Sequence, residues 1–255
     1  MSAMKYHRPQ SMEEALKLLA KGIPLAGGVS LTPRRRSVEA AVDLQDLGLA
    51  DIEVQDGHTK VGATVSLERL RAASWLPQAL ERACRHEAGL NVRNQATIGG
   101  LVHASDGRSP LLTALLALRC TLKFAPGGES IGLDEHLTER SGTGSRILTE
   151  MLIDLPTAMA FEAVGRSPLD RPVVCAAAAR YADTGASGPE IRLALGGFGS
   201  RPFVGHTDSS VDPAASLVAG ARDAYAEAGD AWATAEYRSD VAGALAQRLL
   251  TEVMN

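Results

Sequence analysis

The chain of 255 residues is long enough for a sizeable hydrophobic core and for two or three subdomains. Its apolar content of 45% and net charge of -4 are typical of a globular protein and give no sign of a nucleic-acid-binding face. The spacing of Cys84, Cys120 and Cys175 argues against a zinc site, an iron–sulfur cluster and a disulfide framework. Free thiols and an N-terminus without an apolar signal region predict a cytoplasmic protein.

The first predicted segment, residues 1–52, is a small α/β lobe. Its elements are a short strand or extended segment at residues 6–9, a helix over 12–20, a Gly-Gly turn at 24–30 and a strand at 38–44. Ser11 is the expected N-cap of the helix, because Glu14 stands where it completes a capping box.

The second predicted segment, residues 53–156, is a larger lobe that contains the second Gly-Gly turn of interest. Its elements are a hairpin of residues 51–55 and 59–62 around Asp56–Gly57, a helix from 67 to about 74, a helix over 78–87, the stretch 92–100, an apolar helix over 111–118, a strand at 121–124, a flexible loop at 141–145 and a strand at 147–155. Pro77 opens the helix over 78–87 and Gly89 ends it.

The third predicted segment, residues 157–255, is a separate α+β lobe. Residues 172–181 are apolar and rich in alanine, so periodicity alone leaves strand and helix open. Residues 191–195 predict a strand, and residues 214–228 and 235–253 predict two helices.

Two of the four Gly-Gly turns are candidate phosphate sites. The turns at Gly27 and Gly99 each follow a strand-like run and have a nearby hydroxyl, Ser30 and Thr97 respectively. A tight turn with bare backbone amides and a hydroxyl suits a phosphate, so this pair suits the two phosphates of one dinucleotide. Neither turn fits GxGxxG or GxxxxGK[ST], which disfavours a nicotinamide Rossmann site and a P-loop. The turns at residues 127–128 and 196–197 lead into no helix and are interpreted as strand turns.

Other polar residues give weaker signals. His103, Ser105 and Asp106 are too close in sequence to converge as a catalytic triad. Asp106 is predicted to accept hydrogen bonds from ligand hydroxyls, with a cap for the helix near Pro110 as the alternative. The run of arginines at residues 34–36 predicts a solvated surface or a partner contact. The histidines, including His206, show no metal-ligand spacing.

Five stretches together point to one family. They are LAGGVSLTP at residues 25–33, VGATVSL at 61–67, RNQATIGG at 93–100, IRLALGG at 191–197 and AEYR at 235–238, with Leu245 and Arg248 after it. They resemble motifs of the FAD-binding medium subunit of molybdenum hydroxylases, the carbon monoxide dehydrogenase and xanthine dehydrogenase type. The RNQATIGG stretch is the most specific match.

The resemblance implies an α+β fold: a two-lobed flavin-binding module of the vanillyl-alcohol-oxidase (PCMH) type, followed by a C-terminal α+β lobe. It implies FAD on this chain, with molybdopterin on a large partner subunit and 2Fe–2S clusters on a small one. Electrons would pass from those clusters through FAD to NAD, a quinone or oxygen, and no catalytic side chain or metal is expected here. The implied FAD contacts are Leu25, Ala26, Gly27, Gly28, Val29, Ser30, Thr97, Ile98, Gly99, Gly100 and Asp106.

Four positions depart from the family pattern. Val29, Leu101 and Pro110 stand where the family pattern has a polar residue, and Ala163 stands where a lysine is sometimes found near the flavin ring. A lost hydrogen bond to a polar ligand group costs about 1–3 kcal/mol, so several losses would weaken FAD binding by orders of magnitude. The alternative prediction is therefore a structural subunit with weakened or lost flavin binding. A stand-alone flavin oxidase is disfavoured, because no acid–base pair is evident in the sequence.

Overall fold

A computed structural model describes residues 4–55, 57–139, 146–167, 170–182, 189–205 and 213–255, the side chain of Pro213 excepted. The helices are α1 Met12–Leu18, α2 Leu67–Arg71, α3 Gln78–Glu87, α4 Leu90–Gln95, α5 Ile98–Ala104, α6 Pro110–Ala117, α7 Leu133–Glu139, α8 Pro213–Asp223 and α9 Ala235–Met254. The strands are β1 Lys5–His7, β2 Ile23–Leu25, β3 Ala40–Asp43, β4 Ile52–Gln55, β5 His58–Gly62, β6 Arg119–Ala125, β7 Glu129–Gly132, β8 Ile147–Asp154, β9 Ala158–Val164, β10 Val174–Arg180, β11 Ile191–Gly196 and β12 Phe203–Gly205. The predicted loop at residues 141–145, Asp56 of the predicted hairpin turn and His206 lie outside the described residues.

The strands form three sheets, and each predicted segment holds one of them. The first sheet has three parallel strands in the order β1-β3-β2. The second has five strands in the order β4-β5-β8-β6-β7, in which β4 and β5 form the predicted hairpin. The third is a four-stranded antiparallel sheet in the order β12-β11-β10-β9.

The chain divides into two compact units that are discontinuous in sequence. The first consists of Met1–Ala73, Gly89–Ala104 and Cys120–Asp154, and the second of Ser74–Ala88, Ser105–Arg119 and Leu155–Asn255. This division differs from the contiguous predicted segments 1–52, 53–156 and 157–255 because of α3 and α6. Both helices pack against the C-terminal sheet, where the apolar residues of α6 are buried.

In the first unit, α1 covers the central strand of the parallel sheet. Ala15 packs with Val42, Leu44 and Ile147 in one hydrophobic cluster. The Ser11 hydroxyl accepts a hydrogen bond from the Glu14 amide at 3.2 Å, which confirms the predicted N-cap. The Glu14 carboxylate accepts from the amide of Gln10, one residue before the position that a capping box requires.

In the second unit, β10 shows why periodicity left residues 172–181 undecided. Ala176 and Ala178 pack into the cluster formed with α8 and α9. Cys175, on the opposite face, contacts the Thr113 hydroxyl of α6 at 3.5 Å. A strand buried on both faces has a continuous apolar sequence with no alternation, so its period is invisible.

Several short elements escaped the sequence analysis: α4, α5, α7, β7, β9 and β12. The most consequential are α4 and α5, because they occupy the stretch 92–100, which was predicted to end in a tight turn. Within the described ranges, no helix is long and apolar enough to cross a membrane. The same ranges contain no cluster of three His, Cys, Asp or Glu residues that could hold a metal ion.

Candidate functional site

The first Gly-Gly turn leaves the carboxyl end of β2. The strand ends at Leu25, whose carbonyl accepts a hydrogen bond from the Leu44 amide at 2.9 Å. Gly28 has φ +73°, a left-handed conformation that favours glycine. The backbone N–H and the hydroxyl of Thr32 both donate to the Gly28 carbonyl at 2.8 Å. The turn is therefore fixed at both ends.

The backbone amides of this turn are bare, as predicted. Among the described residues, no amide from 26 to 31 donates a hydrogen bond to a backbone or side-chain acceptor. Residues 26–28 are half-buried, whereas Val29 and Ser30 are exposed. A row of unpaired N–H groups at the carboxyl end of a parallel strand suits an anionic ligand oxygen.

The second Gly-Gly turn is different, and the prediction of bare amides is wrong there. Thr97 is the N-terminal cap of α5, and its hydroxyl accepts from the Gly100 amide at 3.2 Å. The amides of Ile98 and Gly99 donate to the carbonyls of Val65 (3.0 Å) and Ala63 (2.8 Å). These hydrogen bonds hold the start of α5 against residues 63–65, so these three amides already have partners.

The two turns pack against one another. A Cβ added at Gly27 would lie 1.6 Å from the carbonyl oxygen of Gln95, two residues before Thr97. Glycine is therefore required at position 27 by the neighbouring backbone, whether or not a ligand binds. The second turn lies beside the first, as the sequence predicted. It packs against the first turn, but its Ile98, Gly99 and Gly100 amides already have acceptors and are not available to a ligand.

A third stretch that resembles a family motif, residues 61–67, packs against the start of α5 in the first unit. The amide of Leu67 donates to the carbonyl of Ala96 at 2.8 Å, and Ser66 forms a single antiparallel bridge with Thr97. The hydroxyl oxygen of Thr64 is buried and has no hydrogen-bond partner among the residues that the structure describes. An unsatisfied buried hydroxyl is uncommon, and it marks Thr64 as a candidate ligand contact that the sequence analysis did not select. Its only signal in the sequence was its place within this stretch.

Arg93 of the RNQATIGG stretch has a structural partner. Its Nε donates to Glu68 at 2.7 Å, and Glu68 also accepts from Arg71. The hydrogen bonds from Arg71 and then Arg93 outweigh desolvation and lower the pKa of Glu68 from 4.5 to about 2. The cluster joins α2 to α4 and so holds the residues that precede Thr97.

Asp106 belongs to the second unit, where its carboxylate already has hydrogen-bond partners. Its carboxylate forms a two-pronged ion pair with Arg171 and accepts from the Arg108 amide at 2.9 Å. Burial raises the pKa of Asp106, but the Arg171 and Arg108 hydrogen bonds outweigh it and leave the pKa below its usual value. The alternative interpretation of Asp106 as the cap of α6 is wrong, because the Ser109 hydroxyl accepts from the Leu112 amide. The predicted contact of Asp106 with ligand hydroxyls stays a prediction.

Two of the four departures from the family pattern point into the protein. Leu101 is 6% exposed and lies in the apolar core beneath α5. Pro110 is buried at the first position of α6, where its missing N–H costs nothing. Val29 is 39% exposed, and Ala163 lies in β9 and is half-buried. None of these apolar side chains can donate or accept a hydrogen bond.

Comparison with known proteins identifies the family of this chain. The family described as "FAD binding domain in molybdopterin dehydrogenase" matches residues 2–154. The uncharacterized protein YgfM of Escherichia coli (strain K12) is 35% identical over an alignment of 204 positions, which covers 77% of this chain and 75% of that protein. The carbon monoxide dehydrogenase medium chain of Afipia carboxidovorans is 27% identical over an alignment of 271 positions, gaps included, which covers 95% of this chain and 94% of that one.

A solved structure gives the fold. A chain of the reconstituted carbon monoxide dehydrogenase from Oligotropha carboxidovorans superposes with a TM-score of 0.83 over 99% of this chain and 98% of that chain, at 23% identity. The predicted fold class, a flavin-binding module followed by a C-terminal α+β lobe, is confirmed. The family match covers more than half of the residues, including all three stretches that meet around Gly27 and Thr97. The chain therefore belongs to the family of FAD-binding domains of molybdopterin dehydrogenases, which are oxidoreductase subunits.

Proposed function

We propose that this chain is the electron-transfer medium subunit of a molybdenum hydroxylase. It works in the cytoplasm with a molybdopterin-binding large subunit and a small subunit that carries 2Fe–2S clusters. Bound FAD supplies the redox chemistry that passes electrons from those clusters to an external acceptor such as NAD, a quinone or oxygen. Substrate hydroxylation takes place on the large subunit. Three buried cysteines that form no disulfide within the described residues agree with a reducing compartment.

The observation that carries the proposal is the row of bare amides from residue 26 to residue 31. We assign the FAD diphosphate to these amides and to the Ser30 hydroxyl. Residues 97–100 complete the binding site chiefly by positioning the first turn through the contact between Gly27 and Gln95. Residues 1–52 and 53–156 are then the two lobes of the flavin module, and residues 157–255 are the C-terminal domain.

The experiment is a titration of the purified chain with FAD, followed by flavin absorbance and fluorescence after removal of unbound cofactor. We expect the chain to retain about one FAD, because the flavin carries the redox chemistry. We also expect it to co-purify with the iron–sulfur and molybdopterin subunits when all three are co-expressed. A colourless protein that fails to take up added FAD would rule out the flavin role.

A second candidate function is a structural subunit that has lost its flavin. It is favoured by the internal hydrogen bonds of the Ile98, Gly99 and Gly100 amides and by the ion pair between Asp106 and Arg171. Co-purification of a colourless chain with the same two subunits would support it. The two candidates therefore differ in flavin content and agree in their partners.

A further inference from the structure

The bare-amide turn contains no positive charge, although the diphosphate of FAD is an anion. Its donors are neutral N–H groups and one hydroxyl, and the whole chain has a net charge of -4. A hydrogen bond from a cationic donor to an anion is stronger than one from a neutral donor. A cation near residues 26–31 would therefore add substantially to affinity.

Arg34 lies in the right place to supply that cation. It follows the turn in a short 3-10 helix, Thr32–Ser37, and its amide donates to the Leu31 carbonyl at 2.9 Å. Its side chain folds back toward the turn, where Nε donates to the Ser30 carbonyl at 3.3 Å. The guanidinium is thus held beside the residues whose amides are bare.

The guanidinium of Arg34 also forms no ion pair with any residue that the structure describes. Among the described residues, no carboxylate lies within ion-pair distance of Arg34. By contrast, the arginine that precedes the second turn, Arg93, is paired with Glu68 at 2.7 Å. Arg35 donates to the Thr32 carbonyl at 3.0 Å, so its bond is made within the 3-10 helix and not to the turn.

We propose that Arg34 is a binding residue for the FAD diphosphate, with its remaining N–H groups directed at the phosphate oxygens while Nε keeps its bond to Ser30. This proposal rests on the proposed flavin function. Arg36 is the matched control, because it is an exposed arginine of the same 3-10 helix, two residues further from the turn. The basic run at residues 34–36, predicted to be a solvated surface or a partner contact, then consists of one ligand-binding arginine and its neighbours.

The test compares FAD dissociation constants of the wild-type chain and of the variants Arg34→Gln, Arg34→Lys and Arg36→Gln, at low and high salt. We expect Arg34→Gln to bind FAD about tenfold more weakly, as for a lost charge-assisted hydrogen bond. Arg34→Lys should restore part of the affinity, and Arg36→Gln should stay within about twofold of wild type, the level of a screened surface charge. The affinity of Arg34→Gln should also fall less with added salt than that of wild type.

Equal FAD affinities of Arg34→Gln and Arg36→Gln would overturn the assignment of Arg34 and leave the flavin function intact. A wild-type chain that binds no FAD would remove both. If Arg34→Gln does not fold, the wild-type salt series decides. An FAD affinity that is unchanged from low to high salt means that no such cation faces the diphosphate.

Discussion

Gly27 has a packing role that is separable from any ligand. Its absent side chain leaves room for the carbonyl of Gln95, and only a shift of one backbone segment would admit a Cβ. Close approach of two backbone segments at a glycine is thus sufficient to explain this residue. A ligand at the neighbouring amides depends on the same packing, because the turn that presents them is held by it.

We predict that Gly27→Ala destabilises the protein by about 2–4 kcal/mol, the range of strongly disruptive core substitutions. The matched control is Gly89→Ala. Gly89 has φ -64° and no atom within 4 Å of an added Cβ, so this variant should change the unfolding free energy by less than about 0.5 kcal/mol. Urea unfolding of both variants measures the difference. Equal stabilities of the two variants would show that the turns separate more easily than their contact implies.

The lowered pKa of Glu68 predicts how the unfolding free energy depends on pH. Its folded pKa of about 2 lies below the usual 4.5, so the folded state favours the ionised carboxylate. Its contribution to stability is therefore complete above about pH 4.5 and is lost as the pH falls toward 2. The unfolding free energies of wild type and Glu68→Gln should differ most at neutral pH and converge in acid. A difference that stays constant between pH 7 and pH 3 would argue against the ion pairs with Arg71 and Arg93.

At the scale of elements, the N-terminus of α6 depends on a carboxylate from α3. The Glu87 carboxylate accepts from the Ser109 hydroxyl at 2.7 Å and from the Leu111 amide at 3.0 Å. Pro110 has no N–H, and the Leu112 amide is satisfied by Ser109. Glu87 thus supplies the partner that the first turn of this buried helix still needs.

We predict that Glu87→Leu costs about 2–4 kcal/mol, because it leaves a buried hydroxyl and a buried amide without an acceptor. Glu87→Gln keeps an acceptor oxygen and should cost about half as much. Burial raises the pKa of Glu87, so its favourable contribution is present below the usual pKa of 4.5 and declines as the pH rises through the folded pKa. The gap between wild type and Glu87→Gln, measured by chemical unfolding, should therefore widen toward acid, opposite in sign to that for Glu68. A gap that widens toward alkali would contradict the burial of this carboxyl group.

Strand β10 shows that pairing with neighbouring strands can select the secondary structure of a segment. In β10 the same apolar residues would serve a buried helix equally well, and the pairing with β9 and β11 along the whole strand selects the extended form. The small side chains of residues 176–179 allow helices to approach both faces of the sheet. The local sequence preference for strand over helix was weak there, and hydrogen bonding to the neighbouring strands selected the strand.

At the scale of the whole molecule, bound FAD should stabilise the fold. A ligand at one hundred times its dissociation constant adds about 2.7 kcal/mol to the unfolding free energy. For a chain of this size that corresponds to a rise in Tm of roughly 5–10 °C. Thermal unfolding with and without FAD measures it, with Arg36→Gln as a variant that should show the same rise. An unchanged Tm at saturating FAD would favour the structural-subunit alternative.

The sequence alone determined the family, the fold class and the position of the turn with bare amides at residues 26–31. Motifs around Gly27 and Thr97 are local, and the dihedral freedom of Gly28 and the capping hydroxyl of Ser11 act within a few residues. Helices α3, which follows Pro77, and α9 were predicted with their bounds nearly correct. Such features need no knowledge of distant contacts.

Only the tertiary structure decided which amides are available. The N–H groups of Ile98 and Gly99 are occupied because residues 63–65 lie alongside them, and nothing in the stretch RNQATIGG indicates this. The pairing of Asp106 with Arg171 and the position of Arg34 beside Ser30 likewise depend on how the chain folds back. A hydrogen-bond donor is local in sequence, but whether it has a partner is settled by segments that only folding brings near.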